Sequence, residues 1–217
     1  MRSHIDRTAR RWSVRCLAAT LFLASWIGLS GMAWGQIVRV EEDWEMVVSE
    51  PDPDTDGPQV TCIISPAGGI GGIHANFELN LRSLPHFVPG GLQLQLWYGE
   101  YPLYHGESQH TAVMSTPGET VRWTQAMNLS GGLLVFEVLN GNSVTWESFG
   151  GLGHLRLVIP TGMEDLSGYS PGVSVANSGI GYAGNRVQSL VLRRVRLITA
   201  DGEVLQNDTP RYVHAEQ

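Results

Sequence analysis

Short runs of alternating apolar and polar residues, broken by glycine and proline, are the feature that most limits the fold of this chain. The clearest run is GGLQLQLWYGE at 90–100, and NFELNLRS at 76–83 repeats the pattern. A period of two residues is typical of a strand with one buried face. We therefore expect the following side chains to point inward: Phe77, Leu79, Leu81, Leu92, Leu94, Leu96 and Tyr98. The intervening ones should point outward: Glu78, Asn80, Arg82, Gln93, Gln95 and Trp97.

Further strand-like runs follow one another with turn residues between them, and no amphipathic helix stands out. The chain has 26 glycines and 11 prolines, which suit the turns of an all-β protein. We predict strands at 37–48, 60–65, 120–127, 154–160, 172–176, 186–199 and 203–205. The pattern indicates a single antiparallel two-sheet β-sandwich over residues 36–217, of the jelly-roll or concanavalin-like kind.

The dipeptide Asn140-Gly141 lies between two strand-like runs in LLVFEVLNGNSVTWESF. Asparagine and glycine both accept the positive φ angles of a type I′ turn. We therefore predict a two-residue hairpin turn that pairs Leu139 with Asn142.

Residues 1–35 have the features of a secretory signal peptide. Five arginines precede an apolar stretch from 16 to 33, and Ala33 and Gly35 supply the small residues before a cleavage site. We expect cleavage between Gly35 and Gln36, no membrane insertion after it, and a secreted or periplasmic product of a bacterial cell. The Arg10-Arg11 pair leaves export by the general secretory or the twin-arginine route open.

Without that leader, the chain has nine arginines, no lysine and 20 acidic residues, so its net charge is −11. An acidic chain with no basic stretch is a poor candidate for binding nucleic acid or anionic lipid. Cys62 is the one cysteine after the leader, and its apolar neighbours predict a buried, unreactive thiol.

Residues 179–184, GIGYAG, match the Gly-x-Gly-x-x-Gly pattern of dinucleotide-binding folds. That pattern binds a pyrophosphate only between a strand and a helix. The following run at 186–199 is rich in β-branched residues, and Asp201-Gly202 closes it like a turn. We therefore expect a glycine-rich loop before a strand, and no nucleotide cofactor.

The stretch EEDWE at 41–45 places acidic residues two apart on a predicted strand. Alternation puts Glu41, Asp43 and Glu45 on one face, as two-carboxylate sugar chemistry requires. The stretch resembles the Glu-x-Asp-x-Glu active-site strand of laminarinase-like glycoside hydrolases. The resemblance implies a nucleophile at Glu41, a supporting carboxylate at Asp43 and an acid/base at Glu45. The alternative is a short first strand whose charged face lies in water, with Val40, Trp44, Met46 and Val48 packed inward.

Two further stretches suggest ligand binding. Asp52, Asp54 and Asp56 alternate before a glycine in PDPDTDGP, as hard oxygen ligands do in calcium loops, although a plain acidic loop has the same composition. WYGEYPLYHGESQH at 97–110 combines aromatic rings with polar groups, which is typical of a sugar-binding surface. The candidate ligand-binding residues there are Trp97, Tyr101, Tyr104, Glu107 and Gln109.

These patterns leave three hypotheses about function. The first is a secreted, non-catalytic β-sandwich that binds a carbohydrate, such as a polysaccharide or cell-surface glycan, or another extracellular ligand, with calcium steadying the 52–57 loop. The second is a laminarinase-like glycoside hydrolase that uses residues 41–45. The third is a structural protein of an envelope or matrix that has no ligand.

Overall fold

The computed structural model describes residues 35–50, 58–81, 91–107, 110–114, 116–151, 153–182 and 186–215. Within these ranges one helix, α1 (Pro171–Asn177), accompanies a set of strands. The strands are β1 (Ile37–Val48), β2 (Gln59–Ile64), β3 (Ile73–Leu81), β4 (Gly91–Tyr98), β5 (Tyr101–Glu107), β6 (Thr120–Ser130), β7 (Leu133–Ser143), β8 (Glu147–Phe149), β9 (Arg156–Pro160), β10 (Gly179–Tyr182), β11 (Val187–Thr199), β12 (Val204–Asn207) and β13 (Arg211–Ala215).

The strands form two antiparallel sheets, so the predicted all-β two-sheet architecture is confirmed. The large sheet has the order β12-β11-β1-β6-β7-β8, with β13 also paired to β11 and β9 to β7. The small sheet has the order β10-β2-β3-β4-β5. β1 occupies the predicted range 37–48, but it lies in the middle of the large sheet between β11 and β6. The first strand is therefore a central one.

Aromatic rings connect the two sheets through the core. Trp44 and Trp123 are cross-strand partners on β1 and β6, and their rings stack at 6.3 Å. Phe77 on β3 meets Trp123 edge-on at 5.7 Å, which links the small sheet to the large one. Such offset and edge-on pairs contribute beyond the area that they bury. The inward alternation predicted for Val40, Trp44, Met46 and Val48 is confirmed, since all four are buried.

The predicted turn at Asn140-Gly141 is wrong. β7 runs through both residues to Ser143, and the chain turns at 144–146 instead. Asn140 has a φ of 52°, but it uses this angle in a bulge, where two residues of β7 oppose one residue of β6. A left-handed residue suits a bulge as well as a turn, so the local sequence does not distinguish them.

Gly141 is needed because the Phe149 ring of β8 lies against its backbone, and not because the chain turns there. It is the cross-strand partner of Phe149 on β8, and a Cβ at this position would overlap the Phe149 ring. The true turn is held by the Glu119 carboxylate, which accepts hydrogen bonds from the Thr145 amide and hydroxyl at 2.6 Å each. These contacts come from a distant part of the chain, so the local pattern does not contain them.

The predicted strand at 172–176 is also wrong, because these residues belong to α1. Val173 and Val175 suggested alternation, but Pro171 starts a helix, a position where its missing N–H is harmless. Residues 179–182, predicted as a loop, form β10 at the edge of the small sheet, paired to β2. β11 follows, as the prediction for 186–199 requires.

The outward face of the small sheet differs from the prediction too. Glu78, Asn80, Gln93 and Gln95 are buried although they alternate with core residues. Gln95 donates to Gln93 at 2.7 Å, and Glu78 accepts from the Thr61 hydroxyl at 2.7 Å, so these buried groups have hydrogen-bond partners. Tyr98, predicted to be inward, is exposed because it ends β4 beyond the core. No helix among the described residues is long and apolar enough to cross a membrane.

Candidate functional site

The hairpin of β4 and β5 carries a group of exposed aromatic side chains, which we call the tyrosine platform. Its members Tyr98, Tyr101 and Tyr104 are 56%, 73% and 64% exposed. Among the described aromatic residues, the other one exposed to this degree is Tyr212 on β13. β5 is the outermost strand of the small sheet, so a ligand can approach the platform from the side.

A β-bulge brings the three tyrosines to the same side of the sheet. Tyr98 pairs with Tyr101, and Tyr104 pairs with Leu96, while Leu103 is the extra residue of β5. Residues three apart on a regular strand point to opposite faces. The bulge shifts the alternation by one, so Tyr101 and Tyr104 share the side of Tyr98. Spacing along the sequence does not reveal this arrangement.

Trp97 lies on the other side of the sheet. It is half-buried, and its Nε1 donates to the Oε1 of Gln95 at 2.9 Å. The sequence grouped Trp97 with the tyrosines, but the structure separates it from them. Glu107 ends β5 opposite Gln93. The Glu107 side chain and Gln109 lie outside the described residues.

The acidic residues of β1 form a second candidate site, on the outer face of the large sheet. Glu41, Asp43 and Glu45 point away from the core, and their side chains are 14%, 19% and 13% exposed. Being on a central strand, they are flanked by residues of both β6 and β11. Those neighbouring strands supply arginines.

Glu45 is held by two arginines from different strands. The Nε of Arg122 on β6 donates to Glu45 at 2.7 Å, and Arg193 on β11 donates to the other carboxylate oxygen. Partial burial opposes ionisation of Glu45, but the hydrogen bonds from Arg193 and Arg122 outweigh it and lower the pKa of the carboxyl. Glu45 is therefore ionised at neutral pH.

Asp43 has a similar environment. Arg194 on β11 donates to it at 2.6 Å, and Thr124 on β6 donates its hydroxyl at 2.7 Å. Arg196 contacts both Asp43 at 3.4 Å and Glu41 at 2.8 Å. On the far side of Glu41, Arg39 donates at 2.7 Å. Glu41, Asp43 and Glu45 are thus each paired with arginine.

A bulge in β11 explains why so many arginines share this surface. Asp43 pairs with Arg194 and Trp44 pairs with Leu192, so Arg193 is an extra residue on β11. Without it, Arg193 would face the core side of the strand, because its neighbour Arg194 already points outward. The bulge turns both guanidinium groups to the outer face.

These side chains line a depression of about 540 Å³, which we call the charged groove. Six of the lining residues are charged and belong to β1, β6 and β11: Asp43, Glu45, Arg122, Arg193, Arg194 and Arg196. Asp208, after β12, and Asn140, at the β7 bulge, also line it. Arg122 is far in the sequence from the arginines at 193–196, so the fold is needed to bring the four together.

Glu45, in the charged groove, also has a predicted catalytic role. The resemblance to laminarinase-like enzymes assigns the acid/base role to Glu45. A general acid needs a carboxyl that stays protonated near neutral pH. The hydrogen bonds from two arginines lower the pKa of Glu45, which is the opposite of the shift that a general acid needs.

A further carboxyl lies inside the core. Glu42 is fully buried beside β6 and accepts hydrogen bonds from Tyr169 at 2.7 Å, Ser174 at 2.5 Å and Trp44 Nε1 at 3.0 Å. Burial raises the pKa of Glu42 to about 7, although these hydrogen bonds and the charge of Arg211 oppose the rise. Ser174 belongs to α1, so Glu42 connects β1 to that helix.

The predicted calcium ligands Asp52, Asp54 and Asp56 lie outside the described residues. Within the described ranges, no group of three or more His, Cys, Asp or Glu is placed to hold a metal ion. Cys62 is a free, buried cysteine, and burial raises the pKa of its thiol well above the ordinary value.

Comparison with known proteins gives no match, either to a protein-family model or to a curated sequence.

Proposed function

We propose that this β-sandwich is an exported carbohydrate-binding protein that holds a polysaccharide or cell-surface glycan on the tyrosine platform. The observation that carries the proposal is the common orientation of Tyr98, Tyr101 and Tyr104 at an exposed sheet edge. Flat aromatic rings pack against the apolar faces of pyranose rings, and the phenol hydroxyls bind sugar hydroxyls.

A purely structural role does not explain why the tyrosine platform is exposed. Water-facing aromatic rings bury little area in the folded protein, so they add little to stability. Contiguous exposed apolar groups on a soluble protein commonly mark a binding site. The large aromatic residues elsewhere in the described chain are mostly buried, as Trp44, Trp123 and Trp146 are.

A pull-down with insoluble cellulose, xylan and laminarin tests the proposal on protein purified from expression of the full-length chain. We expect retention on at least one polymer, and a loss of about tenfold or more in affinity for the double variant Tyr101→Ala/Tyr104→Ala, because two stacking contacts disappear. Tyr212→Ala is the matched control, since Tyr212 is 59% exposed on a different strand. Repeating the assay in EDTA tests the predicted calcium loop at 52–56.

Retention on no polymer or glycan would favour the structural-protein hypothesis. An equal loss in the Tyr212→Ala control would show that adsorption, and not the platform, retains the protein.

A further inference from the structure

We propose that the charged groove is a second binding site, separate from the tyrosine platform, for a polysaccharide that carries carboxylate groups. Its lining residues lie on the outer face of the large sheet, whereas the platform belongs to the edge of the small sheet. The inference therefore goes beyond the proposed function and does not depend on it.

The groove concentrates arginine in an acidic protein. Arg122, Arg193, Arg194 and Arg196 line it beside three carboxylates, and Glu41 outside the lining pairs with Arg196, so the charges here balance while the whole chain has a net charge of −7. An anionic ligand therefore meets less repulsion here than the net charge implies, because charges act over about a Debye length, roughly 8 Å at physiological salt.

The carboxylates orient the guanidinium groups without using all of their donors. A guanidinium has five N–H donors. Arg122 donates to Glu45 through Nε, and its side chain is 65% exposed. Arg193 donates to the same carboxylate through Nε and Nη2, and its side chain is 44% exposed. Among the described residues the remaining N–H groups of both side chains have no other partner, so they can bind a ligand carboxylate, for which arginine has the matching planar geometry.

The mixture of charges selects among anions. A sugar hydroxyl can donate to the outer lone pairs of Asp43 or Glu45, while a carboxylate on the same sugar accepts from an arginine. A bare sulfate offers acceptors alone and meets repulsion from these carboxylates. The donor and acceptor pattern thus fits a uronic-acid residue.

The extent of the groove indicates a chain rather than a single sugar. From Asp208 beside β12 to Asn140 on β7, the lining crosses five neighbouring strands. Adjacent strands are about 4.8 Å apart, so the groove extends over about 19 Å. Consecutive residues of a polymer can therefore contact it together.

Binding of polygalacturonate to the full-length chain tests this inference, with dextran as the neutral polymer and dextran sulfate as the non-carboxylate polyanion. We expect the protein to bind polygalacturonate. The double variant Arg122→Gln/Arg193→Gln should lose about tenfold or more in affinity, because two charge-assisted contacts disappear. Both arginines are exposed, and unchanged near-ultraviolet circular dichroism would show that the fold is retained.

Two controls keep this test separate from that of the tyrosine platform. Arg156→Gln replaces an arginine that is 42% exposed on the same sheet but does not line the groove, and it should bind like the wild type. Tyr101→Ala/Tyr104→Ala should also retain polygalacturonate binding. An absence of binding, a preference for dextran sulfate, or an equal loss in Arg156→Gln would overturn the inference.

Discussion

Replacing the buried carboxyl of Glu42 should change how the stability of the protein depends on pH. The pKa of Glu42 is about 7 in the folded protein and 4.5 in an unfolded chain. The folded state therefore holds the proton more tightly, and stability is greatest below pH 4.5 and declines as the pH rises through 7. Since one pKa unit corresponds to 1.36 kcal/mol, ionising Glu42 costs about 3 kcal/mol of folding free energy at alkaline pH.

Glu42→Gln keeps the shape of the side chain and removes its titration. The amide nitrogen does not accept the hydrogen bond from Trp44 Nε1, which costs about 1 kcal/mol at every pH. We therefore expect the variant to be less stable than the wild type by about 1 kcal/mol at pH 4, where Glu42 is mostly protonated in both the folded and the unfolded state. At pH 8 it should be more stable by about 2 kcal/mol, because the cost of ionising Glu42 is absent.

Urea unfolding followed by tryptophan fluorescence between pH 4 and pH 8 measures this crossover. Glu164→Gln, at an exposed position, serves as the control and should follow the wild type. Glu78 is a second buried carboxyl with a pKa of about 7, so some pH dependence will remain in the Glu42 variant. Stability curves of wild type and Glu42→Gln that stay parallel over this range would refute the reasoning.

Two other predictions concern the core. Gly141→Ala should lower the free energy of unfolding by about 1 to 3 kcal/mol, because the new Cβ overlaps the Phe149 ring. Gly162→Ala, with open space around the glycine, should lower it much less. Urea titration compares the two variants, and equal effects would contradict the overlap with Phe149 as the cause. Cys62 should react with a thiol reagent only after denaturation, since its thiol is buried and its pKa is raised; rapid labelling of the folded protein would contradict this.

The regular strands are predictable from the sequence because alternation depends on the strand itself. β1 matches its predicted range, and the leucines of β4 are buried as expected. Where local preferences fit two structures, the sequence does not decide. Asn140 accepts a positive φ in a turn or in a bulge, and Val173 and Val175 suit a strand until Pro171 starts a helix.

The candidate site is less predictable because it depends on register. Tyr101 and Tyr104 were identified from their composition, but the bulge at Leu103 decides that they face the same way. The arginines beside Asp43 and Glu45 come from β6 and β11, which are distant in the sequence. The local sequence indicates them only through the Arg-Arg-x-Arg run at 193–196. Pairing of β11 with β1 is what brings this run beside the carboxylates.

The most direct test of carbohydrate binding is a nuclear magnetic resonance titration of the aromatic side chains. Cellohexaose, xylohexaose and laminarihexaose are added in turn to isotopically labelled protein. We expect at least one of them to shift the ring signals of Tyr98, Tyr101 and Tyr104 while the buried Trp44 and the exposed Tyr212 remain unchanged. Shifts spread evenly over the protein, or none with any of the three sugars, would contradict the proposal that the tyrosine platform binds glycans.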